Sequence, residues 1–138
     1  MASEIIAPPV RERPRLLLVE DDAGVRRSLQ LLFRARGFDV RAYATGAALL
    51  ADPLTRDACC FVADFRLEEI DGIEVLARLR KTGWSGPAVL ITAFPSADLS
   101  ARALAQGFGQ VLEKPFREHA LGDAVARLMG AGQATAQS

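Results

Sequence analysis

Cysteine is scarce in this chain and badly placed for a staple. The two cysteines in 138 residues, Cys59 and Cys60, are adjacent. An ordinary framework disulfide between them is excluded, and buried, reduced thiols of a cytosolic protein are expected. Long apolar runs are missing too, since no stretch approaches the ~18 residues that a membrane-spanning helix needs. The N-terminus runs Met1-Ala2-Ser3-Glu4, then Pro8, Pro9 and the basic Arg11-Glu12-Arg13-Pro14-Arg15. It has neither the apolar core nor the small-residue cleavage site of a signal peptide, and it reads as a disordered arm on a cytoplasmic protein. Excess charge of either sign is also absent: 17 Lys and Arg balance 17 Asp and Glu, with a pI near 6.6. That removes the electrostatic footprint of direct binding to nucleic acid or to an anionic membrane. Histidine occurs once, at His119, where an exposed helix position explains it better than a ligand role.

What is present is an ordinary globular composition, 50% hydrophobic and 25% charged, which fits one domain. A chain of this length buries roughly two-thirds of its unfolded surface, so it needs no staple. The pattern divides into an arm over residues 1–14, a domain over 15–129, and a flexible tail over 130–138. Within the domain, Leu16-Leu17-Leu18-Val19 is short, continuous and apolar, as a strand buried on both faces should be. Val25, Leu29, Leu32 and Phe33 then recur at helical spacing, with Arg26, Arg27, Arg34 and Arg36 as the solvated face and Gly37 as the stop. Phe38 to Ala42 alternates as a second strand. Thr45 caps a small-residue helix holding Leu49 and Leu50, which Asp52-Pro53 breaks.

Cys59 to Ala63 is the third strand and ends at Asp64. Asp71-Gly72-Ile73-Glu74 has capping-box spacing and opens a helix through Val75, Leu76 and Leu79. Gly83-Trp84-Ser85-Gly86-Pro87 turns the chain, with Trp84 covering the edge of the core. Ala88 to Ile91 is a fourth strand ending in Thr92. Pro95-Ser96 opens a helix that stops at Gly107, and Gln110 to Glu113 is a fifth strand ending at Lys114-Pro115. The last helix carries Leu121, Val125, Leu128 and Met129. Strands alternating with helices in this way predict an α/β fold, a parallel sheet covered on both faces.

The strand ends share a chemistry. The first gives Glu20 and Asp21, the third Asp64, the fourth Thr92 and the fifth Lys114. In a flavodoxin-like (βα)5 sheet of order 2-1-3-4-5 these four ends are neighbours, and ligands collect outside the carboxyl ends of such strands. Three carboxylates brought together cannot all ionise without a cation. Their hard oxygens suit Mg²⁺, which keeps several of its waters. A carboxylate nucleophile, a divalent metal, a hydroxyl and a fixed cation together describe phosphoryl transfer to Asp.

Val19-Glu20-Asp21-Asp22, Asp64 with Asp71-Gly72, Ile91-Thr92-Ala93 and Glu113-Lys114-Pro115-Phe116 together resemble the receiver domain of two-component response regulators, over about Leu16 to Met129. The Lys-Pro-Phe ending and Arg66 most resemble receivers of nitrogen-fixation and nitrogen-control regulators. The resemblance implies that Asp64 accepts a phosphoryl group from the phosphohistidine of a sensor histidine kinase or a histidine phosphotransfer protein. It implies Mg²⁺ on Asp21, on Glu20 mainly through water, on Asp64 and on the backbone carbonyl of Arg66. Lys114 would pair with the phosphate, ahead of a cis bond to Pro115. Thr92 would bond a phosphate oxygen, assisted by backbone amides near Phe65, Arg66 and Ala93, and Asp22 would act as a helix cap. The implied role is a signalling phosphoacceptor in a phosphorelay, with no enzymatic turnover beyond self-phosphorylation from small donors and slow loss of phosphate. Its partners would be that kinase, a downstream protein target and, on phosphorylation, a second copy of the chain. The Arg-bearing first helix also meets the kinase in such domains.

Three positions depart from the usual receiver pattern. Glu68 stands where proline is common after the phosphorylation site, which would loosen that loop and place a charge on the docking face. Val111 stands where an aromatic switch residue is common, so a switch that turns a ring inward is not available. Phe94, two residues after Thr92, is expected to pair with Arg66 across the site and to hinder water. Two other readings are weighed. A haloacid-dehalogenase-like aspartyl-phosphate phosphatase needs a second Asp two residues after the nucleophile, where this chain has Arg66, which cannot donate a proton usefully. A receiver that signals by constitutive contact would keep the same pocket. The segment after Met129 is too short and polar to fold alone, so the expected output is a binding event. Whether the chain stands alone or belongs to a longer protein stays open, the arm after Met1 favouring the former.

Overall fold

Five parallel strands form a single sheet in the structure, a computed structural model that describes residues 12–137. The strands are β1 (Arg15–Val19), β2 (Asp39–Tyr43), β3 (Ala58–Asp64), β4 (Ala88–Thr92) and β5 (Gln110–Glu113), in the order β2-β1-β3-β4-β5. That is the expected topology. Helices α1 (Ala23–Ala35), α2 (Gly46–Ala51), α3 (Gly72–Lys81), α4 (Ala97–Gln106) and α5 (Glu118–Gln137) alternate with them.

Alternation along the strands sends successive side chains to opposite faces. Leu17, Val19, Phe61, Ala63 and Leu90 pack with Leu49 of α2, Leu76 and Leu79 of α3, and Leu99 and Ala103 of α4. Leu16, Leu18, Cys60, Val62, Val89 and Ile91 pack with Leu29 and Phe33 of α1 and Leu121 and Val125 of α5. Phe61 is fully buried between Trp84, edge-on at 6.4 Å, and Phe108 at 6.3 Å. Burying one such ring contributes about 1.5–3 kcal/mol. Trp84 also donates its indole N–H to the Ala58 carbonyl at 2.8 Å, which anchors the turn before β4 to the start of β3.

The helix starts follow their caps. Asp22 accepts the Val25 amide at 2.9 Å, Asp71 the Glu74 amide at 2.8 Å and Ser96 the Leu99 amide at 3.0 Å. At α3 the Glu74 carboxylate turns to Arg78, taking its Nε at 3.0 Å, so the forward half of the expected capping box is made and Glu74 serves an i,i+4 pair. Gly107 ends α4 at φ +108, a conformation that costs a side chain dearly.

Three boundaries differ from the sequence reading. Of the arm assigned to residues 1–14, residues 1–11 lie outside the described residues, but Pro14 is already tied to the start of β2, its carbonyl accepting the Asp39 amide at 2.9 Å. The flexible tail expected over 130–138 is helical as far as Gln137; its alanines and glutamines are better helix formers than its two glycines. The break at Asp52-Pro53 is itself a 3-10 turn, Pro53–Asp57, capped by Asp52 through the Leu54 amide at 2.9 Å. Cys60 is fully buried and Cys59 partly so, both unpaired. Burial pushes the Cys60 thiol up to about 12 and raises that of Cys59, so both stay protonated and inert.

Asp52 also joins the β2 edge to this turn, accepting the Tyr43 hydroxyl at 2.6 Å. That hydrogen bond, with the Leu54 amide, holds the Asp52 carboxyl below its ordinary value, while burial raises Tyr43 above its own. A carboxylate whose pKa is depressed on folding stabilises the fold above its unfolded pKa, and that stability is lost as pH falls through the folded value. Tyr43→Phe is therefore expected to lower the thermal midpoint at pH 7. Its difference from wild type should narrow below about pH 4, as followed by circular dichroism melts at the two pH values.

Candidate functional site

The parallel sheet puts the ends of β1, β3, β4 and β5 on one edge, beside the point where strand order reverses from β1 to β3. Glu20 follows β1, Asp64 closes β3, Thr92 closes β4 and Lys114 follows β5. All four converge as the sequence reading expects, and Asp21 joins them. One carboxylate oxygen each from Glu20, Asp21 and Asp64 lies within 4.8 Å of the others. Glu20 and Asp64 are buried, at 1% and 6% exposure, whereas Asp21 faces solvent.

Lys114 holds this acidic group together. Its Nζ lies 3.0 Å from Glu20 Oε1 and 3.3 Å from Asp64 Oδ2. The other Glu20 oxygen accepts the Asp22 amide at 3.2 Å. Burial nevertheless pushes the Glu20 carboxyl up to about 7; the neighbouring Asp64 charge adds to the rise, and the bonds from Lys114 and Asp22 oppose it. Burial pulls Lys114 down, but its bond to Glu20 and the charges of Asp64 and Glu20 leave it above its ordinary value. A carboxylate held at this cost is suited to a divalent cation, and the donor set is all hard oxygen, which fits Mg²⁺.

The remaining residues frame the pocket. The Lys114 amide donates to the Thr92 carbonyl at 2.7 Å, and the Lys114–Pro115 peptide is cis. Thr92 is 1% exposed, and its hydroxyl oxygen accepts the Phe94 amide at 3.1 Å. The Arg66 guanidinium lies 4.3 Å from the centre of the Phe94 ring, and that ring is 63% exposed. The pairing expected of these two residues is therefore in place, at a distance suited to cation–π attraction.

Glu68 lies in a loop whose shape is set by backbone bonds. The Ile70 amide donates to the Glu68 carbonyl at 2.7 Å, Glu69 takes φ +68, and the Gly72 amide returns to the Phe65 carbonyl at 2.9 Å. Val111 sits beside Leu90 on β5, half-buried against the core. It packs as an aliphatic residue should, leaving no ring to turn. His119 is exposed on α5.

Three residues do more than their sequence pattern suggests. Arg26 and Arg36, read as part of a solvated face, both have partners. Arg36 pairs with Asp123 at 3.2 Å, and Arg26 donates to the Glu20 carbonyl at 2.8 Å. Arg36 and its partner lie 87 residues apart and leave no local signal, whereas Arg26 is six residues from Glu20, and an Arg one helical turn after an acidic loop is a place to look. Gly72 is the third. A Cβ there would lie 2.4 Å from the Asp64 carbonyl oxygen, so the Asp-Gly step is needed to let α3 start against the end of β3.

A doubly wound domain with an acidic trio at its carboxyl edge, two of its members bridged by a lysine, has the architecture of a signalling receiver. The family model described as the response regulator receiver domain matches residues 16–126, and the chain belongs to that family. Nodulation protein W of Bradyrhizobium diazoefficiens is 34% identical over 110 residues, covering 80% of this chain and 48% of its own length. The transcriptional regulatory protein FixJ of Azorhizobium caulinodans is 32% identical over 113 residues, 82% of this chain and 54% of that protein. The chain thus spans about half the length of the curated relatives it matches. A CheY-like receiver domain protein from Methanospirillum hungatei superposes with TM-score 0.83 at 21% identity, over 90% of this chain and 99% of that one. This last likeness supports the fold alone. Receivers are signalling domains that act with histidine kinases and generally bind Mg²⁺. Among the described residues no helix is long and apolar enough to cross a membrane.

Proposed function

We propose that Asp64 is the phosphoacceptor of this receiver. Its carboxylate oxygen attacks the phosphorus of a donor phosphohistidine; the P–O bond forms, the P–N bond breaks, and the released imidazole nitrogen takes up a proton. The donor is the phosphohistidine of a sensor histidine kinase or of a histidine phosphotransfer protein, and the reaction takes place in the cytoplasm. The observation that carries this reading is Lys114 Nζ, set between Glu20 at 3.0 Å and Asp64 at 3.3 Å. A fixed cation there meets charge developing on the transferred group. Thr92 offers a hydroxyl donor from the neighbouring strand end. Mg²⁺, held by Glu20, Asp21, Asp64 and the Arg66 carbonyl, would neutralise the carboxylates and the phosphoryl oxygens when bound. An apolar groove of about 840 Å³, lined by Val25, Leu29, Leu32 and Phe116 beside Lys114, offers the donor protein a surface at the site. The output is a contact with a downstream protein or with a second copy of the chain, without direct binding of nucleic acid.

Acetyl phosphate with Mg²⁺ is expected to add one phosphoryl mass to the wild-type chain, and to add none with EDTA or in Asp64→Asn. Equal addition in Asp64→Asn would remove the proposal. Phe94 and Arg66, paired at 4.3 Å just beyond the ends of β4 and β3, are assigned to the lifetime of the product as a screen against water. Phe94→Ala should lose phosphate several-fold faster than wild type when donor is removed. Release no faster than wild type, read by intact mass against time, would show that the pair does not shield the site.

A further inference from the structure

The acidic loop between β1 and α1 is held from a direction that the receiver chemistry does not use. Arg26 is half-buried in the first turns of α1. Its Nη1 donates to the Glu20 carbonyl at 2.8 Å and lies 3.4 Å from the Asp21 carbonyl. At its own backbone, the Arg26 amide donates to the Asp22 carbonyl at 2.8 Å. One residue of α1 therefore meets three consecutive carbonyls of the loop that presents the acidic pair.

The rest of the loop shows why that matters. Glu20 is tied on every side: its amide to Tyr43, its carboxylate to Lys114 and to the Asp22 amide, its carbonyl to Arg26. Asp21 is exposed, and its carbonyl takes the longer reach of the same guanidinium. The direction of the Asp21 carboxylate is then set by the backbone that Arg26 grips. An Arg donor shared by two carbonyls suits that task, because its planar group fixes several donors at once.

We propose that Arg26 is a positioning residue for the cation site, clamping the Glu20 and Asp21 carbonyls so that their carboxylates converge with Asp64. The proposal rests on the reading that Mg²⁺ binds those three carboxylates. It makes a prediction opposite in sign to simple electrostatics. A guanidinium beside an acidic cluster repels a divalent cation, so removing its charge alone would tighten binding. Removing a clamp weakens it, as loss of outer partners of metal ligands does by about 10–100-fold.

Titration calorimetry of the full chain with MgCl₂ decides the matter, with unfolding midpoints in EDTA recorded for each variant. Arg26→Ala should bind Mg²⁺ about tenfold more weakly than wild type. Arg26→Met, which keeps the aliphatic stem and its packing while losing the donors, should show the same loss. Arg26→Lys, which keeps a donor, should fall between them and wild type. Mg²⁺ affinity in Arg26→Met equal to or tighter than that of wild type would overturn the proposal, even if Arg26→Ala is unfolded. A wild-type chain that binds no Mg²⁺ would instead overturn the reading of the site, and the clamp with it.

Discussion

Lys114→Met is expected to destabilise the metal-free protein by about 2–3 kcal/mol at neutral pH, with much of the loss recovered in millimolar Mg²⁺. The substitution takes the cation away from two carboxylates at once, at 3.0 Å and 3.3 Å. Glu20 is 1% exposed and its carboxyl is already pushed up to about 7, so without Lys114 it takes up a proton at neutral pH and Asp64 loses its cation. Breaking a buried ion pair from one side costs about 3–5 kcal/mol; the Lys114 side chain retains 24% exposure, which places this case below that range. Methionine keeps the volume of the stem, so lost packing is a minor part. Urea unfolding in EDTA and in Mg²⁺ separates the contributions. A loss under about 0.5 kcal/mol in EDTA would place the pair among surface ion pairs, and a loss that Mg²⁺ leaves untouched would mean that the carboxylates do not share a cation.

The second large effect is steric. Gly72→Ala places a Cβ 2.4 Å from the Asp64 carbonyl oxygen and 3.1 Å from Leu90 Cδ1. The oxygen is backbone and cannot rotate aside, so the start of α3 must move away from the end of β3. Overpacking of this kind costs about 1–3 kcal/mol. It also disturbs the Gly72 amide bond to Phe65, at 2.9 Å, which closes the loop after Asp64. Labelling by acetyl phosphate should slow along with the fall in stability. Gly24→Ala is the control: a Cβ there meets only Asp22 Oδ1 at 3.4 Å, and the first turn of α1 should accept it without loss. Equal labelling rates in Gly72→Ala and wild type would show that the helix start and the acceptor are not coupled.

Much of the fold was legible because its determinants are local. Four-residue apolar runs, Asp22, Asp71 and Ser96 as caps, and Gly107 as a stop each act within a few residues, and the elements begin and end close to them. The site was legible for a different reason. Lys114 and Glu20 are 94 residues apart, and no periodicity links them. What links them is that parallel strands collect their polar ends on one edge, so a polar residue closing each strand is evidence about the others. The Arg66–Phe94 contact followed from the same logic, each lying two residues beyond its strand end.

What stayed hidden depends on contacts across elements. Arg26 looks like any arginine on a polar helix face until the loop carbonyls are placed beside it. Gly72 reads as a helix opener, and only the packing of α3 against β3 shows that a methyl group has no room. The extent of α5 is not legible because Gly130 and Gly132 lower helix propensity in a polar tail, while the alanines around them favour continuation as far as Gln137. Val111 is informative in the opposite way. That it carries no ring is given by the sequence, and in the fold it is half-buried opposite Leu90. Any route from the site to an output surface has to use other contacts. One is available in the Arg102–Asp71 pair at 3.7 Å, which joins α4 to the cap of α3.

The most direct test of the account is to locate the phosphoryl group. After loading with acetyl phosphate and Mg²⁺, borohydride reduces an acyl phosphate to the alcohol, and peptide sequencing by mass spectrometry then finds the reduced residue. The account predicts homoserine at position 64 and unmodified Asp21 and Glu20. Reduction at another carboxylate, or phosphoryl mass that survives with residue 64 unchanged, would contradict it.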